Sequence, residues 1–234
     1  GIGHMMGNYG VSQYQGKLSS NVITIPEVLK KAGYSTIMSG KWHLTKNDLD
    51  QWPLKRGFDN FYGLISGAAN YFKSEYPGLI FEGNEKLNID DENYYTTDAF
   101  TDKAIEYIDK VKSENSEKPF FLYLSYNAPH WPLQAPKENI DKYRGNYMKG
   151  WENLREERYK RMIEMGLIDS SWDLSYDDIV SWNSLSKEKR EEMDLRMAIY
   201  AAMIDRMDQN IGRLITDLKT KELYDNTIIM FLND

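Results

Sequence analysis

Three times along this chain, apolar residues at helical spacing lead into a short, almost unbroken apolar stretch, and each stretch ends in polar residues. Helix-then-strand units whose strands are apolar on both faces predict an α/β fold, with a largely parallel sheet flanked by helices. The first unit opens at Thr24-Ile-Pro-Glu27, a capping-box pattern with Pro in the first turn. Ile25, Val28, Leu29 and Ala32 follow at helical spacing, Gly33 supplies a left-handed stop, and residues 34–39 read as strand. The second unit sets Phe100, Ala104, Ile108 and Val111 on one helical face before an aromatic-rich strand at 119–126. In the third, Met193, Met197, Tyr200, Ile204, Met207, Ile211, Leu214 and Leu218 alternate steps of four and three. That is one stripe of a long helix expected to face the core, followed by a turn at 224–226 and a strand at 227–232.

Between the second and third units, residues 136–186 are rich in charge, carry Trp151, Trp172 and Trp182, and read as a helical insertion. Those tryptophans suit either the cores of amphipathic helices or the mouth of a site that stacks on a sugar or aryl group. No internal repeat or low-complexity linker marks a domain boundary. The chain opens at Gly1 with no basic and apolar leader and stops directly after an apolar run, which reads as an internal fragment of a larger domain.

Composition narrows the function. With 234 residues, 41% hydrophobic and 28% charged, the chain can bury a sizeable core. A net charge of −7 argues against a general nucleic-acid binder, and no apolar stretch approaches the roughly 18 residues a membrane span needs. Zero cysteines exclude disulfides, thiolate metal sites and a cysteine nucleophile within these residues. A slight cationic excess, seven basic against four acidic residues, falls in residues 1–70 and reads more simply as solvated surface than as anion steering.

In open α/β sheets ligands bind beyond the carboxyl ends of the strands. There the three units deliver Gly40-Lys-Trp-His-Leu44, Asn127-Ala-Pro-His-Trp-Pro132 and Asn233-Asp234. Lys41 and His43, two apart, point to one side of an extended segment, where an ammonium beside an imidazole suits a tetrahedral oxyanion. An ordinary loop with an exposed Lys and a packed His fits the same spacing. His130, between two prolines, suits a rigidly placed general acid or a turn His that caps its own backbone. Asp234 suits a hard-metal ligand or a helix N-cap. His4 lies among glycines and has no assigned role. No zinc motif, nucleophile elbow or dinucleotide fingerprint is present.

These residues resemble those of the sulfatase family, within the alkaline-phosphatase-like superfamily. The resemblance runs through Thr24-Ile-Pro-Glu-Val-Leu-Lys-Lys-Ala-Gly-Tyr34, Ser39-Gly-Lys-Trp-His-Leu44, Gly57-Phe-Asp-Asn-Phe-Tyr-Gly63, Ala128-Pro-His-Trp-Pro132, the 142–158 segment and the tail 226–234. It covers essentially the whole chain and implies an incomplete alkaline-phosphatase-like core belonging to a catalytic domain. The implied activity is arylsulfatase-like hydrolysis of a sulfated small molecule or carbohydrate, using calcium and a formylglycine made from Cys or Ser in an upstream segment that these residues lack. Carried over position by position, Lys41 and Ser66 would contact the sulfate. His43 would bond the formylglycine hydroxyl and help collapse the sulfated intermediate. His130 would serve the leaving-group oxygen, and Asp234 would bind Ca2+. The resemblance also implies an extracytoplasmic site of action. With no nucleophile motif, the fragment by itself should be inactive. Two other readings stay open: a phosphonate or phosphodiester hydrolase of the same superfamily, and a non-catalytic protein that binds sulfated ligands.

Overall fold

The computed structural model describes residues 18, 21–44, 48–75, 78–176 and 178–232. The chain divides into two compact units, residues 1–132 with 206–234, and residues 133–205.

In the first unit, α1 (Ile25–Lys31) starts as the sequence predicts. Thr24 Oγ1 accepts the Glu27 N–H, the Glu27 carboxylate accepts the Thr24 N–H, and Pro26 sits in the first turn. Strand β1 (Ser35–Lys41) follows. β2 (Asn60–Leu64), β3 (Ile80–Glu82), β4 (Glu85–Lys86), α2 (Thr96–Glu114) and β5 (Phe120–Ser125) complete a five-stranded sheet in the order β4-β3-β2-β1-β5. β1 pairs in parallel with β2 on one side and with β5 on the other, whereas β2–β3 and β3–β4 are antiparallel. The sheet is therefore mixed but mostly parallel, and helices flank it.

Period-two alternation splits the core. Ile37, Tyr62 and Leu64 join Phe100, Ile108 and Val111 of α2 in one cluster. Met38, Phe61 and Ile65 join Trp42, Trp52 and Phe58 in another. Covering both faces explains why apolar side chains of β1, β2 and β5 point to either side of the sheet.

The long third helix is α5 (Lys187–Thr220), and its buried face differs from the expected one. Met197, Tyr200 and Ile204 of the apolar stripe are exposed while Asp194, Ala198, Ala202, Met203 and Asn210 are buried, whereas Leu218 at the end of the stripe is buried as expected and Leu214 packs on the same core. Around residues 194–210 the buried face, with Ala198, Ala202, Met203 and the hydrogen-bonded Asp194 and Asn210, is therefore turned away from the stripe. Within the first unit, α5 is tied to α2 by Arg206 on Asp98 and Arg213 on Asp102, and Lys221 just past its end pairs with Asp109.

The strand expected at 227–232 is corrected. Those residues follow a turn at 224–226 but join no ladder among the described residues, and Ile228 and Leu232 are 87% and 86% exposed. An apolar run becomes a strand only where another strand's free N–H and C=O groups receive it.

The second unit contains α3 (Lys137–Asp141), α4 (Trp151–Glu164) and the first part of α5. The Trp151 and Trp182 rings pack edge to face with centroids 5.0 Å apart, whereas Trp172 is exposed. Asp194, 2% exposed, accepts the N–H groups of Gly145 and Tyr147. No described helix is long and apolar enough to cross a membrane.

Candidate active site

Of the candidate residues, Lys41, His43, Ser66 and His130 lie where β1, β2 and β5 end. All three strands run the same way, so their exits, residues 42–44, 65–75 and 126–132, leave the sheet at one edge. β1 lies between the other two, which makes this edge the point where chain connections diverge to either side.

Lys41 closes β1. Its position depends on Gly40, whose φ of +125° is one that L side chains rarely adopt. A Cβ there would overlap the carbonyl oxygen of Ser125 on β5. The same Ser125 donates its Oγ–H to the Lys41 carbonyl at 2.8 Å. Pairing with β2 persists past β1, from Trp42 N–H to the Leu64 carbonyl at 2.8 Å and from His43 N–H to the Ile65 carbonyl at 3.2 Å. Trp42 is buried and donates its Nε1–H to the Gln51 carbonyl, while Lys41 is half-buried and His43 is exposed. This alternation follows an extended backbone as far as Trp42. At His43 the chain turns, with φ of +52°, an uncommon conformation for a residue with a side chain.

The loop after β2 carries Ser66, which is half-buried and donates its Oγ–H to the Ala68 carbonyl at 3.2 Å. Next to it, Gly67 lies so near His43 that a Cβ would overlap the imidazole at Nε2, Cε1 and Cδ2. Four residues on, Tyr71 is fully buried, and the single proton of its hydroxyl is shared between the carbonyls of Asn127 and His130, each 2.9 Å from the oxygen. Burial pushes the Tyr71 phenol well above its ordinary pKa, so it remains a donor across the physiological range. Its ring stacks on Tyr95 with centroids 5.7 Å apart.

His130 closes a turn in which its own N–H reaches the Asn127 carbonyl at 2.9 Å. Its side chain is exposed, and Nδ1 lies 2.7 Å from the Trp131 carbonyl. A carbonyl can only accept, so Nδ1 carries a proton and Nε2 is the nitrogen left to exchange one. Asn127 is buried, and among the described residues neither polar atom of its side chain has a partner.

The structure thus links Lys41, His43, Ser66 and His130 through contacts of β1, β5 and the 65–72 loop. Asp234 and His4 lie outside the described residues. Among the described residues, no group of three or more His, Asp or Glu is arranged to hold a metal ion. Sequence reasoning missed Gly67, Tyr71 and Ser125. The Ser66-Gly67 pair is a turn signal, but nothing local marks the Tyr71 hydroxyl as the partner of a turn 56 residues away.

Comparison with known proteins follows the same residues. Residues 3–234 match the family model described as Sulfatase. An uncharacterized sulfatase of Schizosaccharomyces pombe is 38% identical, covering 96% of this chain and 43% of its own length. The arylsulfatase of Klebsiella aerogenes is 32% identical over 96% of this chain and 49% of its own. The chain therefore spans about half, or less, of the length of these relatives. Among solved structures, one described as Ps i-CgsB in complex with k-i-k-neocarrahexaose superposes with a TM-score of 0.59 at 26% identity. That match covers 96% of this chain and 45% of the other.

Proposed function

The chain belongs to the sulfatase family, and from that premise we propose that it supplies the sulfate-binding and leaving-group side of a sulfate-ester hydrolase. The observation that carries this reading is the setting of His130. With Nδ1 committed to the Trp131 carbonyl, Nε2 of an exposed imidazole is left to handle a proton at the sheet edge. Hydrolysis of an organic sulfate monoester breaks a sulfur–oxygen bond, and the departing oxygen needs a proton. His130 donates it from Nε2. The Lys41 ammonium opposes the sulfate charge, and the Ser66 hydroxyl turns from the Ala68 carbonyl to a sulfate oxygen. His43 moves a proton on the attacking side.

The family resemblance adds formylglycine and calcium. Calcium takes about six to eight oxygen ligands; Asp234, outside the described residues, is one carboxylate, and among the described residues no group of three or more His, Asp or Glu could hold the ion. Nor does the sequence contain a Cys, or a Ser in a Ser-x-Pro-x-Arg context. These residues therefore do not fit either group by themselves. On this reading the nucleophile and most metal ligands come from outside the 234 residues, which are inactive alone and bind calcium weakly. Sulfated carbohydrates or other sulfated small molecules are the substrate class, in keeping with the sugar-bound structural relative. An extracytoplasmic site of action rests on the family resemblance.

The test compares aryl sulfates with aryl phosphodiesters in the intact enzyme. Faster sulfate turnover is expected, and His130→Ala should slow alkyl sulfates more than nitrophenyl sulfate, because a poor leaving group depends more on the proton. Faster phosphodiester cleavage, or equal losses for both leaving groups, would overturn the assignment.

A further inference from the structure

One short loop touches both histidines from opposite ends. Its first part runs beside the exit of β1, where the His43 N–H bonds the Ile65 carbonyl and Gly67 leaves the volume that the His43 imidazole occupies. Its last part buries Tyr71 between two anchors. The Tyr71 carbonyl accepts from the backbone N–H and the hydroxyl of Thr96, at 2.7 and 2.8 Å. The Tyr71 hydroxyl meets the carbonyls of Asn127 and His130.

We propose that Gly67 and Tyr71 are positioning residues. Gly67 seats the His43 ring, and Tyr71 holds both ends of the turn that presents His130, so that a single loop sets the placement of the two histidines. The inference rests on the reading that those histidines handle protons.

The physical case has two parts. His43 stands on a backbone with positive φ, a conformation that persists only where the surroundings over-determine it. Contact with Gly67 is one such constraint, and any side chain at 67 removes it. At Tyr71, two carbonyl dipoles converge on one buried hydroxyl, and burial keeps that hydroxyl protonated. Without it the carbonyls repel, and the turn is free to carry His130 away from its present place. Ordinary core packing would require the Tyr71 ring but not its oxygen, and would not require a bare Cα at 67.

Two measurements test this. In the intact enzyme the imidazole resonances of His43 and His130 can be assigned by single His→Gln variants. Tyr71→Phe should shift the His130 resonances and leave those of His43, and Gly67→Ala should do the reverse. Gly212→Ala, on an open helix surface with nothing within 4 Å, should move neither. In the intact enzyme, Tyr71→Phe should lower kcat for alkyl sulfates about tenfold or more while KM changes less than about twofold. If Gly67→Ala fails to fold, His43→Ala combined with Gly67→Ala should restore folding, because the ring that the new methyl strikes is gone. Unmoved imidazole resonances, or a double variant that folds no better than Gly67→Ala, would overturn the proposal. A His130→Ala enzyme without leaving-group selectivity would remove the proton-donor reading, yet leave the resonance test of the loop standing. Normal His130→Ala behaviour with a silent Tyr71→Phe would remove the positioning role alone.

Discussion

Arg56 Nε lies 2.9 Å from Oε1 of Glu27, 29 positions earlier in the chain, so a buried guanidinium grips the carboxylate that also caps α1. The same guanidinium donates to the Gln51 side chain and to the Val22 carbonyl, each at 2.9 Å. One side chain thus fastens the start of α1 to the turn before β2.

Replacing Arg56 with Ala should be strongly destabilising. It strips partners from one carboxylate, one amide and one carbonyl in a mostly buried setting, a loss of about 2–4 kcal/mol. Arg56→Lys keeps the charge but not the fork, and should recover only part of the loss. Denaturant midpoints of the two variants check this, and a wild-type midpoint for Arg56→Ala would contradict it.

Acid should weaken the same corner. Burial alone pushes the Glu27 carboxyl up, but the Arg56 guanidinium and the Thr24 N–H outweigh it and hold Glu27 below its ordinary 4.5. Burial likewise raises Asp59, yet Lys30 and Thr36 hold it below 3.8. A depressed folded-state pKa gives stabilisation that is fully present above the unfolded value and is lost as pH falls through the folded one. The urea midpoint should therefore drop on acidification below about pH 4.5. Glu27→Gln should lower the neutral-pH midpoint and flatten part of that acid limb; an unchanged acid slope would count against the linkage.

Gly40→Ala should damage both the sheet and the site. The new methyl meets the Ser125 carbonyl on the neighbouring strand, at a φ that disfavours any side chain. Strain of this kind costs about 3 kcal/mol or more. The expected signature is a lowered Tm together with faster hydrogen exchange across β1 and β5. Retained protection of both strands would show that the pair tolerates the methyl.

In the second unit the critical group is Asp194. Its carboxylate receives two backbone N–H groups, from Gly145 at 2.9 Å and Tyr147 at 3.0 Å, where water cannot substitute freely. Asp194→Ala should cost about 2–3 kcal/mol, with Asp194→Asn intermediate. Amide exchange at Gly145 and Tyr147 reads this directly, and protection equal to wild type in Asp194→Ala would refute it.

The readability of the sequence varied with the range of the forces involved. The Thr24 and Glu27 capping box was legible because its partners lie within one helical turn. α2 and β5 were legible because a buried stripe and an apolar run are recorded within each segment, and β1 because Gly33 and Gly40 bound the stretch read as strand. β2, β3 and β4 were not. Gly57-Phe-Asp-Asn-Phe-Tyr-Gly63 has too many glycines and polar residues for a strand signal, and β2 exists because β1 offers it a free edge.

What the sequence determined by itself was therefore local: where helices begin, which stretches must be buried, and the chain order of Lys41, His43 and His130. Tertiary structure decided the pairings and the faces. It left 227–232 outside any ladder among the described residues, turned a side other than the apolar stripe inward over residues 194–210 of α5, and set Gly67 and Tyr71 against two histidines far apart in the chain. The reason is that caps and periodicity are satisfied within a few residues. A sheet edge, a buried hydroxyl and the seat of a ring are each satisfied by whichever distant group the fold brings to them.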